Sequence, residues 1–204
     1  MATRRTILKT GMALPATRLF GTVLPPSVGH AAGDTLELER FVYDPRFAEA
    51  YDIAQQAGRL GVSLSPVADD LMSLWYDQLD PLWKQAPQAL GGVTMAEALF
   101  VLETLAMDRG MRLVYRGEHG LVEDGRVVHK LAGPAAMVER FATLDFQAQW
   151  MPELASAMTA LPLGRPEPAA VEFVTHAPGL SIRDVPLVSW VIAPRTAVAL
   201  TLSS

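Results

Sequence analysis

The sequence predicts an α/β protein: a three-layer fold with a mostly parallel sheet of β-α units, to which an antiparallel hairpin and C-terminal strands are added. The first observation behind this prediction is that three strand-like segments are each followed by a helical pattern after a short connection. The second is an Asp-Gly pair between two alternating segments, which is typical of a β-hairpin. A helical bundle is the main alternative.

The first β-α unit begins the predicted domain. Residues 36–43 start with alternating polarity and end as an apolar run, which suits a strand entering a buried sheet. Asp44 and Pro45 then supply a helix N-cap and a proline at the first helical position, and Gly58 or Gly61 ends the helix. The apolar stripe of this helix consists of Phe47, Ala50, Tyr51, Ala54 and Ala57.

The second unit carries two prolines. Residues 62–68 are predicted to form a strand, and Pro66 within it favours an edge position or an early end. Asp69 or Asp70 caps the next helix, which Asp80-Pro81 interrupts and which restarts through Leu82 and Trp83. The apolar face of this helix consists of Leu71, Leu74, Trp75 and Leu79.

The third unit leads into a fourth strand. Residues 88–93 form the strand, and Thr94 with Glu97 three residues later predicts a capping box at the start of a helix. Gly110 ends that helix, and residues 111–115 follow as the fourth strand.

The fourth strand turns back on itself in the predicted hairpin. Residues 111–122 and 126–132 form its arms, and a two-residue turn places Gly120 opposite His129. Side-chain alternation then puts Arg116, Glu118 and His129 on one face, and His119 on the other. The remaining predicted elements are helices at residues 134–143 and 150–161 and strands at residues 171–175, 187–192 and 197–202.

Composition excludes several classes of protein. The chain has no cysteine, so disulfides, thiolate-bound metals and cysteine nucleophiles are excluded. A net charge of −5 without a run of basic residues argues against a nucleic-acid partner. No window is apolar enough for stable insertion into a membrane.

Residues 3–9, Thr-Arg-Arg-Thr-Ile-Leu-Lys, resemble the twin-arginine export motif, and an apolar region and a small-residue cleavage site after Ala31 follow them. The resemblance implies a signal peptide at residues 1–31, export to the periplasm by the twin-arginine translocase, and a single α/β domain at residues 32–204. Twin-arginine systems move folded proteins, which bind a cofactor, fold quickly, or travel with a partner that carries a cofactor.

Ligands of open α/β sheets bind outside the carboxyl ends of the strands, so polar residues at these ends form the candidate site. Glu118 and His119 are the acid–base candidates, and Arg116 is placed to orient an anion. The predicted ligand-binding residues are Asp44, Arg46, Asp69, Thr94, Arg116 and His129. Helix capping by the first, third and fourth of these, and a solvated charged face on the hairpin, are the structural alternatives.

No motif points to a cofactor or a metal. Gly91 and Gly92 lack the spacing of a dinucleotide fingerprint or a P-loop, and no lysine follows them. The four histidines do not form a spaced ligand motif, and no G-x-S-x-G elbow is present.

An aromatic cluster leaves two functions open. Trp75, Tyr76 and Trp83 form either a packed core or a surface that anchors a partner. We therefore expect an exported, non-catalytic accessory or escort of a larger oxidoreductase-type subunit that carries a cofactor. The alternative is a small periplasmic enzyme or anion-binding protein that uses Arg116, Glu118 and His119.

Overall fold

The computed structural model describes residues 35–67, 70–122, 125–143, 149–162, 168–176 and 186–195. The strands are β1 Thr35–Glu37, β2 Arg40–Tyr43, β3 Ser63–Pro66, β4 Leu90–Met95, β5 Met111–Val122, β6 Arg126–Pro134, β7 Ala160–Pro162, β8 Pro168–His176 and β9 Leu187–Pro194. The helices are α1 Ala48–Arg59, α2 Leu71–Leu74, α3 Asp80–Gln85, α4 Ala96–Met107, α5 Ala135–Thr143 and α6 Trp150–Thr159. A π-helical turn, Trp75–Leu79, joins α2 to α3.

Seven strands form one mixed sheet, in the order β3-β2-β4-β9-β5-β6-β8. The neighbours β3-β2 and β2-β4 are parallel, and the other four neighbouring pairs are antiparallel. Five strands therefore run in one direction, and β6 and β9 run against them. The α/β class and the added hairpin are confirmed. The C-terminal strand β9 is not an edge addition, however, because it lies between β4 and β5.

Helices cover both faces of this sheet, which is the predicted three-layer arrangement. On one face, called here the α6 face, the core includes Phe41, Ile53, Met137 and Leu154. The opposite face, called the α4 face, packs against α2, the π turn, α3 and α4. Burial of apolar side chains on both faces supplies the main driving force for folding.

The ends of the first three strands differ in detail from the sequence pattern. Asp44 does not cap α1, which begins after Phe47 without a side-chain cap. Thr94 lies inside β4, and α4 begins after Met95, so the predicted capping box does not form. Asp70 does cap α2, because its carboxylate accepts a hydrogen bond from the backbone of Ser73.

Proline positions explain two further features. Pro66 lies in β3 at the edge of the sheet, as predicted, because proline has no N–H for a ladder bond. Pro81 does not break the helix. It cannot donate to the carbonyl of Asp77, and its ring crowds that carbonyl, so the preceding turn widens into the π turn.

The hairpin register is one residue away from the predicted one. Val122 pairs with Arg126 and His119 pairs with His129, so three residues, not two, connect the strands. Gly125 has a φ of 69°, the left-handed conformation that three-residue hairpins need. Because side chains alternate, this shift moves His129 to the face of His119.

A β-bulge in β5 decides which face the histidines share. Leu113 pairs with Ile192 and Tyr115 with Val191, so Val114 is the extra residue. A bulge reverses the alternation of side chains along a strand. Leu113 accordingly packs on the α4 face, whereas Tyr115 packs on the α6 face.

Some predictions fall outside the described residues. These are the signal peptide at residues 1–31, Asp69, and the strand at residues 197–202.

Candidate functional site

A chain of five buried polar side chains crosses the sheet on the α6 face, and we call it the buried histidine network. The Nδ1 atoms of His119 and His129 lie 2.7 Å apart. Ser189 Oγ lies 2.8 Å from His119 Nε2 and 3.0 Å from the hydroxyl of Tyr115. At the other end, Thr175 Oγ1 lies 2.8 Å from His129 Nε2. Strands β5, β6, β8 and β9 therefore each contribute to one hydrogen-bonded line.

Aromatic rings enclose the two imidazoles. Phe173 stacks on His129 at a centroid distance of 4.8 Å. Trp150, the first residue of α6, lies 5.2 Å from His119 and 4.7 Å from His129. Within the described residues, Trp150 Nε1 is buried without a hydrogen-bond partner. The network is thus shielded from water by apolar surface.

This surrounding lowers the basicity of both histidines. Burial lowers the pKa of His119 well below its usual value, and the neighbouring His129 lowers it further. Burial likewise lowers the pKa of His129 to about 4. Burial raises the pKa of Tyr115, although its hydrogen bond with Ser189 opposes the shift. All three side chains are therefore neutral near pH 7.

The geometry of Ser189, His119 and His129 has the order of a nucleophile, a base and an orienting group. The hydroxyl of Ser189 is fully buried, however, and each histidine is 1% exposed. A substrate cannot reach this hydroxyl without a rearrangement of the core. The arrangement instead satisfies buried polar groups and fixes the pairing of four strands.

Arg116 and Glu118 lie on the opposite face of β5, away from the histidines. The guanidinium of Arg116 donates to Glu118 Oε1 over 2.9 Å, and both side chains are about half exposed. Lys130 and Glu172, on β6 and β8, are 4.0 Å apart on the same surface. These four residues line a shallow depression of about 460 Å³. Because its charges are balanced, this surface does not favour an anion.

The residues of the predicted acid–base site therefore lie on two opposite faces of the sheet. The side chains of Glu118 and Arg116 share a face, as predicted, but they lie inside β5 and not at its end. His119 and His129 share the other face. The predicted grouping of His129 with Arg116 and Glu118 is wrong, because it depended on the two-residue turn.

Three other predicted ligand-binding residues, Asp44, Arg46 and Thr94, have structural partners. Asp44 is buried and accepts two hydrogen bonds from the Arg46 guanidinium, through Nε at 2.9 Å and Nη2 at 2.6 Å. Thr94 is also buried, and its hydroxyl accepts a bond from Trp190 Nε1 and donates one to the carbonyl of Met95. The hydrogen bonds described for Asp44 and Thr94 are to Arg46, Met95 and Trp190, and not to Arg116 or the histidines.

The three residues of the predicted aromatic anchor differ in exposure. Trp75 and Trp83 are 4% and 3% exposed and pack edge to face in the core of the α4 face. Tyr76, by contrast, is 64% exposed. Only Tyr76 of the three is available at the surface of this structure.

Sequence reasoning missed three members of the buried histidine network: Tyr115, Thr175 and Ser189. One signal was present, because Ser189 is a single hydroxyl inside the apolar segment Leu187–Pro194. A polar side chain within a fully buried strand needs a hydrogen-bond partner. The sequence does not reveal that this partner is His119, 70 residues away.

In the described part of the chain, no group of three or more histidine, aspartate or glutamate side chains is arranged to hold a metal ion. None of the helices there is long and apolar enough to cross a membrane. Comparison of the chain with protein-family models, curated proteins and solved structures finds no match.

Proposed function

We propose that this chain is an exported accessory subunit that escorts, or assembles with, a larger secreted enzyme carrying a cofactor, and that it catalyses no reaction itself. The resemblance of residues 3–9 to a twin-arginine motif supports export in the folded state. The observation that carries the proposal is the exposure of two large apolar side chains, Phe100 and Met107, on the outer side of α4.

The composition of α4 is that of a fully buried helix. Of its 12 residues, three have polar side chains: Glu97, Glu103 and Thr104. Leu99 and Leu102 face the sheet, but Phe100 is 70% exposed and Met107 is 60% exposed. A seven-residue separation puts Phe100 and Met107 on the same outer side, two turns apart. Glu97 and Thr104 are exposed on the same side, so a partner would meet two apolar side chains within a mixed surface. Exposed apolar side chains with polar residues around them are found at surfaces that bind other proteins.

The distribution of reactive groups supports the non-catalytic part of the proposal. Ser189, His119 and His129 are buried and bonded to one another, and Arg116 is paired with Glu118. The alternative of an enzyme or anion-binding protein that uses Arg116, Glu118 and His119 has less support, because these side chains lie on opposite faces of the sheet.

Native mass spectrometry of the tagged chain, purified from the periplasm of its own host, tests the proposal. We expect the wild type to appear with a larger chain that carries a cofactor. The double variant Phe100→Gln and Met107→Gln should lose this chain, because glutamine keeps the helix but removes both exposed apolar side chains. The matched control is Leu60→Gln, a change at a 56% exposed leucine outside α4.

Two outcomes would contradict the proposal. One is a wild-type protein that is recovered from the periplasm without a partner, and the other is equal partner retention by all variants. Absence of the tagged chain from the periplasm would contradict export.

A further inference from the structure

Arg40 differs from three other arginines in how its guanidinium is used. Arg46, Arg109 and Arg116 each direct Nε and Nη2 to a carboxylate, that of Asp44, Asp80 and Glu118 respectively. These two nitrogens form the side of the guanidinium that matches the two oxygens of a carboxylate or a phosphate. In the described part of the chain, Arg40 Nε is buried and has no acceptor.

The opposite side of the Arg40 guanidinium is held in place. Nη1 donates to Ser65 Oγ and to Gln78 Oε1, each over 2.8 Å. The hydroxyl of Ser65 also donates to Gln78 Oε1 over 3.0 Å, which closes a three-membered cluster. Two bonds to one nitrogen fix the plane of the guanidinium, so Nε and Nη2 have a fixed direction.

The π turn supplies one of these two acceptors. Gln78 lies in the π turn, which forms next to Pro81, and it contacts the start of β2 and the end of β3. A π turn re-aims the side chains within it, and such turns are frequent at functional sites. Gln78 is exposed and lies on the Nη1 side of the guanidinium, and the Arg40 side chain as a whole is partly exposed.

We propose that Arg40, with Ser65 and Gln78 holding its guanidinium, binds an oxyanion group, a carboxylate or a phosphate, through Nε and Nη2. Because Arg40 is partly exposed, we infer that an oxyanion contacts its Nη2 and brings a second oxygen to Nε. It thereby supplies the acceptor that this buried donor lacks, and a buried donor without an acceptor is destabilising. The site lies at the β3 edge of the sheet and does not depend on Phe100 or Met107 of α4.

The test is a titration of the full, ¹⁵N-labelled chain with sodium phosphate or sodium acetate at constant ionic strength, monitored at the arginine Nε–H signals. The Arg40→Lys variant assigns the Arg40 signal. We expect this signal to shift to saturation with at least one anion, while the signal of Arg59, an exposed arginine on α1, does not shift to saturation. The anion that shifts the Arg40 signal to saturation at the lower concentration is the oxyanion that the site prefers.

A second measurement compares melting temperatures. Added anion should raise the melting temperature of the wild type and of Arg59→Gln, but not of Arg40→Gln, because a ligand stabilises only a fold that binds it. The proposal is overturned if neither anion shifts the Arg40 signal to saturation, or if Arg59 responds in the same way. The titration uses the folded wild type, so its result tests the proposal even if Arg40→Gln does not fold.

Discussion

The Nδ1 atoms of His119 and His129 lie 2.7 Å apart, so one imidazole must donate a proton to the other. When both rings are neutral, a proton on His119 Nδ1 requires its Nε2 to accept from Ser189 and requires His129 Nε2 to donate to Thr175. The opposite choice reverses these three bonds, whereas the Tyr115 hydroxyl can donate to Ser189 in both cases. The network is fully bonded in either direction, but protonation of both rings leaves two donors facing each other.

The first prediction is that acid destabilises the fold through these histidines. The pKa of His129 is about 4 in the folded state, and that of His119 is also lowered, whereas an unfolded histidine has a pKa near 6.5. The unfolded state therefore binds more protons below about pH 6.5, and stability falls as the pH drops toward the folded values. Each histidine contributes a slope of up to about 1.4 kcal/mol per pH unit.

Urea unfolding between about pH 7 and about pH 5 measures this slope. The control variant is His129→Gln, which keeps hydrogen-bonding groups but does not titrate, and it should show a flatter dependence than the wild type. Equal stability of the wild type at both ends of this range would mean that the histidines are not buried as neutral groups.

The second prediction concerns Ser189 and Thr175. Ser189→Ala removes a partner from both His119 and Tyr115, whereas Thr175→Val removes a partner from His129 alone. Each buried group left without a partner costs about 1–3 kcal/mol. The free energy of unfolding, measured in urea, should therefore fall further for Ser189→Ala. A larger loss for Thr175→Val would show that the two ends of the network are not bonded as described.

Local patterns were sufficient to predict much of this fold. The β5 boundaries, Met111–Val122, match the predicted arm of the hairpin, and Pro66 marks the edge strand as expected. These features depend on periodicity and on proline chemistry within a few residues. The position of β9 between β4 and β5 depends on pairing across long stretches of chain, which no local pattern records.

The candidate site was less predictable, because a shift of one residue changes the face of the sheet on which a side chain lies. One extra residue in the hairpin turn moved His129 to the other face, and the bulge at Val114 placed Tyr115 on the α6 face. Both effects follow from the two-residue period of a strand, in which a shift of one residue reverses every side chain. The sequence therefore predicted which residues are polar, but not which of them meet.

The third prediction concerns two glycines of β5. A Cβ atom at Gly117 would lie 2.5 Å from both Ser189 Oγ and the Tyr115 hydroxyl, and 2.7 Å from Leu131 Cδ2. Gly117→Ala should therefore distort the buried histidine network and cost about 1–3 kcal/mol, the usual range for overpacking. In Gly120→Ala, by contrast, the nearest atom to the new Cβ is 3.9 Å away, on Pro186.

Thermal unfolding of the two variants gives a direct comparison. We expect a clear drop in melting temperature for Gly117→Ala and a small change for Gly120→Ala. Similar drops for both variants would show that the cost comes from the strand backbone and not from contact with the network.

The fourth prediction separates core from interface on α4. Leu99 is 1% exposed and Phe100 is 70% exposed, although the two residues are adjacent. Leu99→Ala should cost about 2–5 kcal/mol because it opens a cavity against the sheet. Phe100→Gln should change the free energy of unfolding by less than about 0.5 kcal/mol, since exposed positions contribute little.

Urea unfolding of both variants, combined with the partner assay, makes this comparison informative about function. A stable Phe100→Gln chain that no longer retains the partner assigns the exposed phenylalanine to binding, because its fold is unaffected. A Phe100→Gln chain that is destabilised as much as Leu99→Ala would instead place Phe100 in the packing of the monomer. In that case the exposed phenylalanine of α4 would no longer support an accessory role.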